Sequence, residues 1–437
     1  MDEASWVALI GCLAVIALMA MRVQIAVCLG LVSVIGFAYM VGWEPALGIL
    51  IDSPIRTVTN FDLSVIPMFV LMGSLVSAGG MSRELFRAAN AWLGHYPGGL
   101  GMATIVACGG FASINGSSIA TAVTMTQVAL PEMRRANYDP GSSLGLIAAG
   151  GTLGPMIPPS VLFVIFSFLT DTDVGALFIA GVIPGLLGVV FYCVAVQVVA
   201  WVRPNLMPRG ARADWAERWA SLKAVWAVAL LFGCVMGGIY GGFVTVTEAA
   251  ALGVMGALII GLARRRLTWK TILASLVDAL RTSATIFFIA TAAFLFQYFL
   301  AVTQASQSLA GWLGDLPVAP IMIIVFIVLG YLAAGTFIDE LATMLLTVPV
   351  LYPVVVQLGF SPLYFGVLVV LTTTIGLYAP PVGIICFILQ GVVKDVSLMS
   401  IYRGTIPMLI ADLLRLALLV GVPALSYWLP STMLAHH

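Results

Sequence analysis

The sequence predicts an all-α polytopic membrane protein made of two inverted structural repeats, each with a re-entrant hairpin and a broken transmembrane helix. Three observations predict it. Of the 437 residues, 61% are hydrophobic and only 9% charged, so a water-soluble surface cannot be assembled from them. Apolar runs of about 20 residues recur along the whole chain, as helices crossing a hydrocarbon core of roughly 30 Å require, and the alternation of membrane strands is missing. Helix breakers are also duplicated in the most apolar surroundings, as "GGTLGPMIPPS" from Gly150 and "APPVG" from Ala379.

Taken in order, the first run, Trp6 to Met21, follows an acidic "MDEAS" with no basic stretch or cleavage site and is expected to remain as a helix. Residues 1–64 are assigned to N-terminal scaffold helices. Residues 65–202 form the first repeat, with a hairpin at 99–130 and a broken helix at 141–168. Basic "SRELFR" and "PEMRR" flank that hairpin, so the positive-inside rule makes it leave from and return to the cytoplasmic side. The polar stretch 203–223 is a cytoplasmic linker, and residues 224–430 form the second repeat. Its hairpin, 319–350, has no Lys or Arg in its flanks and enters from outside; its broken helix is 361–390. A single threading places every Lys and Arg except Arg56 and Arg415 on the cytoplasmic side.

Motifs recur between the halves in the same order and at a nearly constant spacing. "WLGHYP" at Trp92 matches "WLGDLP" at Trp312, Gly154 with Pro158 and Pro159 matches Gly376 with Pro380 and Pro381, and "GVIP" at Gly181 matches "GTIP" at Gly404. Pro140 and Pro362 precede their glycines by equal distances. The five crossings between the two tryptophan motifs (141–168, 174–202, 224–242, 248–263 and 271–301) are an odd number, so the second copy is upside down. Such repeats mark secondary transporters, whose breaks meet near the midplane. There, freed carbonyl oxygens can hold a cation, while half-helix N-termini present N–H groups to an anion. Both hairpin tips are polar or small, "NGSS" at Asn115 to Ser118 and "GTFID" at Gly335 to Asp339, which suits backbone lining a wet cavity.

Other chemistries find little support. Six scattered cysteines lack paired spacing, three histidines (His95, His436, His437) cannot build a metal cluster or a triad, and no phosphate loop occurs. An intramembrane hydrolase with Ser117 or Ser118 as nucleophile would lack a His, or a Lys within the membrane core, as base. No enzyme activity, cofactor or nucleic-acid partner is expected.

The stretches "VIPMFVLMGSL", "GHYPGGL", "NGSSIATA", "YDPGSSLGLIAAGGTLGPMIPPS", "LFIAGVIPGLL", "TEAAALG", "RTSAT" and "APPVG" resemble the large membrane subunit of tripartite ATP-independent periplasmic (TRAP) transporters, from about Val65 to the C-terminus. The resemblance implies an elevator-type secondary transporter in the bacterial inner membrane, driven by sodium. It also implies a separate small four-helix membrane subunit and a periplasmic substrate-binding protein that delivers an organic acid such as a sialic acid or C4-dicarboxylate. Against the family's usual pattern, Asn115 replaces a serine at the first tip, Val246 a proline in "TVTE", Thr374 a glutamate, and Ala379 a threonine. A self-sufficient sodium/dicarboxylate transporter of the same architecture is the alternative.

Two sodium sites are expected, each between a hairpin tip and the facing break, with mostly backbone ligands. The first takes Asn115, Ser117, Ser118, Gly154, Ile157 and Pro159; the second takes Gly335, Thr336, Thr373, Gly376, Ala379 and Pro381. Substrate is expected between them, near Ser117, Thr121, Pro158 and Thr336. Asp339 either serves function or caps its helix, and Arg281 either attracts a carboxylate or snorkels to the headgroups. Arg264 to Arg266 are expected to anchor topology only. The mobile part is expected to be the hairpins and broken helices, sliding on a scaffold that includes the terminal helix of each half.

Overall fold

The computed structural model describes residues 3–21, 23–314 and 317–433; Asp315 of the second tryptophan motif and the terminal histidines lie outside the described residues. Helix α1 (Glu3–Ala20) and α2 (Ile25–Val41) lead into α3 (Trp43–Thr59), and the segment carrying α4 (Val65–Ala78) is bent by 60° from α3. Asn60 fixes that bend, its side-chain oxygen accepting the N–H groups of Asp62 at 2.9 Å and Leu63 at 3.3 Å. Amphipathic α5 (Met81–Leu93) precedes the first hairpin, α6 (Gly99–Asn115) and α7 (Ser118–Arg135). The first broken helix is α8 (Pro140–Gly151) and α9 (Val161–Thr170), followed by α10 (Val174–Val202).

The expected linker ends in a helix of its own, α11 (Trp215–Ala224), bent by 44° from α12 (Trp226–Tyr240). It docks on α5: Trp92 packs edge-on against Trp215 and Trp219, and buried Arg218 lies over the Trp92 and Trp215 rings. Next come α13 (Val246–Ala263) and the 34-residue α14 (Trp269–Val302). Thr245 and Glu248 of "TVTE" form a reciprocal cap on α13, which accounts for that motif as a helix start. Arg264 goes beyond anchoring: it pairs with both carboxylate oxygens of Glu84, at 2.7 and 2.8 Å, and ties α13 to α5.

The second hairpin, after α15 (Ala305–Gly314), is α16 (Pro320–Gly335) and α17 (Glu340–Gln357). The second broken helix, α18 (Pro362–Gly376) and α19 (Ile384–Val392), precedes α20 (Leu398–Gly421) and α21 (Ala424–Met433). The helix pairs α6–α7 and α16–α17 and the interrupted helices α8–α9 and α18–α19 thus lie in the segments that carry the duplicated motifs.

One expectation fails. The terminal helices α10 and α20 pack mainly away from the scaffold: α20 lies along α8 and α18, and α10 along α6, α18, α20 and α21, touching α12 only near Gly175. Glycines cause it: Gly145 of α8 and Gly404 of α20 bring their backbones so close that a Cβ on either would overlap the other helix. Helix α14 instead packs with α2, α3 and α4, and α13 with α4 and α12, forming the other body.

Candidate functional site

Helix α8 begins at Asp139, whose carboxylate accepts the Ser142 N–H at 2.7 Å, and ends at Gly151, where a buried, turn-rich segment runs to Ser160. Ser160 restarts the helix as the N-cap of α9, accepting the Phe163 N–H. The tip of the first hairpin sits in this break with no room to spare. A Cβ on Gly154 would lie 2.9 Å from the carbonyl carbon and oxygen of Ser117, one on Gly151 would lie 2.8 Å from the Ser118 oxygen, and one on Gly116 would lie 2.7 Å from the Pro159 oxygen. Gly116 also has φ of 62°, a left-handed conformation that glycine adopts without strain. The Ser117 and Gly151 carbonyl oxygens thus lie close beside Gly154, and the Pro159 oxygen close beside Gly116.

The second half repeats the contact. The Gly335 and Gly376 backbones touch, and a Cβ on Gly335 would lie 3.3 Å from the Thr373 oxygen. Thr336 and Thr373 turn their hydroxyls to their own helices, donating to Ala333 and Val369 oxygens at 2.8 Å, so the backbone is what each presents to the other element.

The two tips also meet each other. Ser118 Oγ donates to the Glu340 carboxylate at 3.0 and 3.3 Å, and these are the first residues of α7 and α17, equivalent positions in the two repeats. Beside them lies a cavity of about 810 Å³. Its walls are the Asn115 to Ser117 tip, the start of α9 and Glu340 on one side, and Ser74, Ser77, Asp278, Thr282 and Thr285 of α4 and α14 on the other. It reaches Thr271 in the first turn of α14, just past the basic Arg264 to Arg266. The volume suits a small polar organic molecule.

Comparison with known proteins decides the family. Residues 12–425 match the family described as tripartite ATP-independent periplasmic transporter, DctM component. This chain belongs to that DctM family of TRAP transporter large permeases. It is 34% identical over 402 residues to the C4-dicarboxylate TRAP transporter large permease protein DctM of Pseudomonas aeruginosa, covering 89% of this chain and 93% of that one. To the sialic acid TRAP transporter large permease protein SiaM of Vibrio cholerae it is 33% identical, covering 87% and 88%. Among solved structures, the YdaH transporter of Alcanivorax borkumensis shares the fold, with a TM-score of 0.63 over 87% of this chain and 88% of that one at 13% identity. The DctM-family chain is a multi-pass membrane protein.

In this DctM-family chain the first expected ion set is largely brought together: Asn115, Ser117, Ser118, Gly154 and Pro159 all stand at the tip or in the break it fills. Ile157 also lies buried in the break, its side chain packed on Gly185 of α10. In the second set Gly335, Thr336, Thr373 and Gly376 are adjacent, whereas Pro381 is exposed and its carbonyl accepts the Tyr402 hydroxyl at 3.0 Å. Ala379 lies in the second break, its N–H donating to the Ile375 oxygen. Of the expected substrate residues only Ser117 lines the cavity. Thr121 is buried behind the tip, 3.4 Å from the Asn115 amide, and Pro158 is buried in the break. Thr336, Asp339 and Arg281 lie outside the lining, and Arg281 is exposed.

Asp339 is a helix cap, its carboxylate accepting the Leu341 and Ala342 N–H groups at 3.0 Å. The next residue, Glu340, is the acid that lines the cavity.

Proposed function

We propose that this chain is the membrane permease of a sodium-driven, three-component uptake system for an organic acid in a bacterial inner membrane. The tip-in-break contact of Gly154 with Ser117, repeated as Gly335 with Gly376, carries the reading. Each contact brings backbone oxygens of tip and break close together, an arrangement that suits a bare monovalent cation. Tightness means that an ion can bind only when tip and break are aligned, which is how occupancy couples to movement. The P. aeruginosa and V. cholerae relatives are named for carboxylate solutes, and an organic acid fits the cavity's volume.

Among the described residues, no Lys or Arg lines the cavity. Attraction for a carboxylate then rests on the N-terminus of α7 and on bound sodium, which offsets Glu340 and Asp278. The elevator is the unit of both hairpins, both broken helices, α10 and α20; the scaffold is α1 to α4 with α12 to α14. The cavity lies at the seam of the two bodies and opens inward, as it would just before solute release. A small four-helix subunit enlarges the scaffold, and a periplasmic binding protein delivers the solute.

The test is uptake by the assembled system in liposomes under imposed gradients. An inward sodium gradient should drive accumulation without ATP, and collapsing it should stop uptake. Accumulation driven equally well by a proton gradient in sodium-free buffer would refute the coupling ion.

A further inference from the structure

Away from the cavity, α10 and α20 carry a buried polar cluster that the transport reading does not use. Asp412 and Arg415 are 0% and 1% exposed, and Asp412 Oδ1 lies 2.6 Å from Arg415 Nη2. Two hydroxyls donate to Asp412 Oδ2 at 2.5 Å: Tyr192 from α10 and Tyr378 from the second break. Tyr192 in turn lies 3.2 Å from Thr152 Oγ1, in the first residue after α8. Four side chains, Thr152, Tyr192, Asp412 and Tyr378, thus form a continuous path from one break to the other, with Arg415 paired to its centre.

The repeat explains the placement. Tyr192 and Arg415 each stand eight residues beyond the proline of "GVIP" and "GTIP", so they are equivalent positions that meet across the pseudo-twofold axis, the guanidinium 5.8 Å from the ring centre. Gly188, one turn before Tyr192, leaves the space that Arg415 Nη1 fills. A charge pair at this depth is costly unless it is closely held. Its two tyrosines come from different repeats, so each break is fixed through the same carboxylate.

We propose that Asp412, held by Arg415, Tyr192 and Tyr378, is a positioning residue that locks the two breaks into one unit, so that the occupancy of one ion site is felt at the other. The structural tie stands on its own geometry, and its consequence for ions rests on the two-site reading above.

The test uses Tyr378→Phe and, separately, Tyr192→Phe in the full-length chain, each removing one hydroxyl while keeping its ring. Amide exchange is followed in 152–160 and in 377–383, with sodium titrated against choline. Each variant should speed exchange about tenfold in both segments, and the sodium midpoints for protecting them, coincident in the natural protein, should separate. Faster exchange confined to the segment nearer the lost hydroxyl, or midpoints that stay coincident, overturns the proposal. If sodium protects neither segment of the natural protein, the ion-site reading falls and the ion coupling with it, while the exchange rates still decide the tie. A purely structural role would lower thermal stability without separating the midpoints.

Discussion

Replacing Gly154 by alanine plants a methyl carbon 2.9 Å from the Ser117 carbonyl carbon and oxygen. Carbon atoms settle about 3.5–4.0 Å apart, so the hairpin tip must retreat by roughly 0.6 Å or more. Neighbouring contacts oppose other adjustments, because Gly116 already meets the Pro159 oxygen and Gly151 the Ser118 oxygen. Overpacking of this kind costs about 1–3 kcal/mol. If the strain falls on the ion-bound state, sodium affinity drops roughly 5- to 150-fold at about 1.4 kcal/mol per factor of ten. The assay is sodium-dependent thermal stabilisation of the purified chain, read beside the sodium half-saturation of uptake. Gly330→Ala is the control: it sits in α16 of the other hairpin with nothing within 4 Å of a new Cβ, and should leave sodium dependence unchanged. Natural sodium dependence in Gly154→Ala would refute the claim that this contact holds the ion.

Ser118→Ala and Glu340→Gln should each weaken transport, and the double variant should be less impaired than their sum, with a coupling of about 0.5–3 kcal/mol because the two side chains bond directly; strict additivity in uptake kinetics would separate the tips. A cysteine at Gln304 should react with an impermeant reagent from outside and one at Arg212 only after permeabilisation; labelling of both from one side would contradict the inversion. Thr245→Ala removes the reciprocal cap of α13 and should lower stability by about 0.5–2 kcal/mol in thermal melts while sodium affinity holds.

The breaks and hairpins were legible because Gly and Pro act locally and the second copy places them in the same order. The close contacts at Gly154 and Gly376 followed from that duplication, since a backbone presented to an ion needs residues without bulk. Glu340 escaped because choosing between two adjacent acids requires the helix phase, which the cap at Asp339 sets. The membership of α10 and α20 escaped because it depends on which glycine faces meet, as at Gly145 and Gly404. Arg415 gave a hint: it resisted the threading, and it resisted because it is buried against Asp412 rather than placed at a headgroup.

The most direct test of the account is a count of bound sodium. Equilibrium binding of radioactive sodium to the purified chain should saturate at two ions, fall to one in Gly154→Val and in Gly376→Val, and vanish in the double variant. Undiminished binding in both single variants, with the protein still folded, would contradict the assignment of the ions to the two tip-in-break contacts.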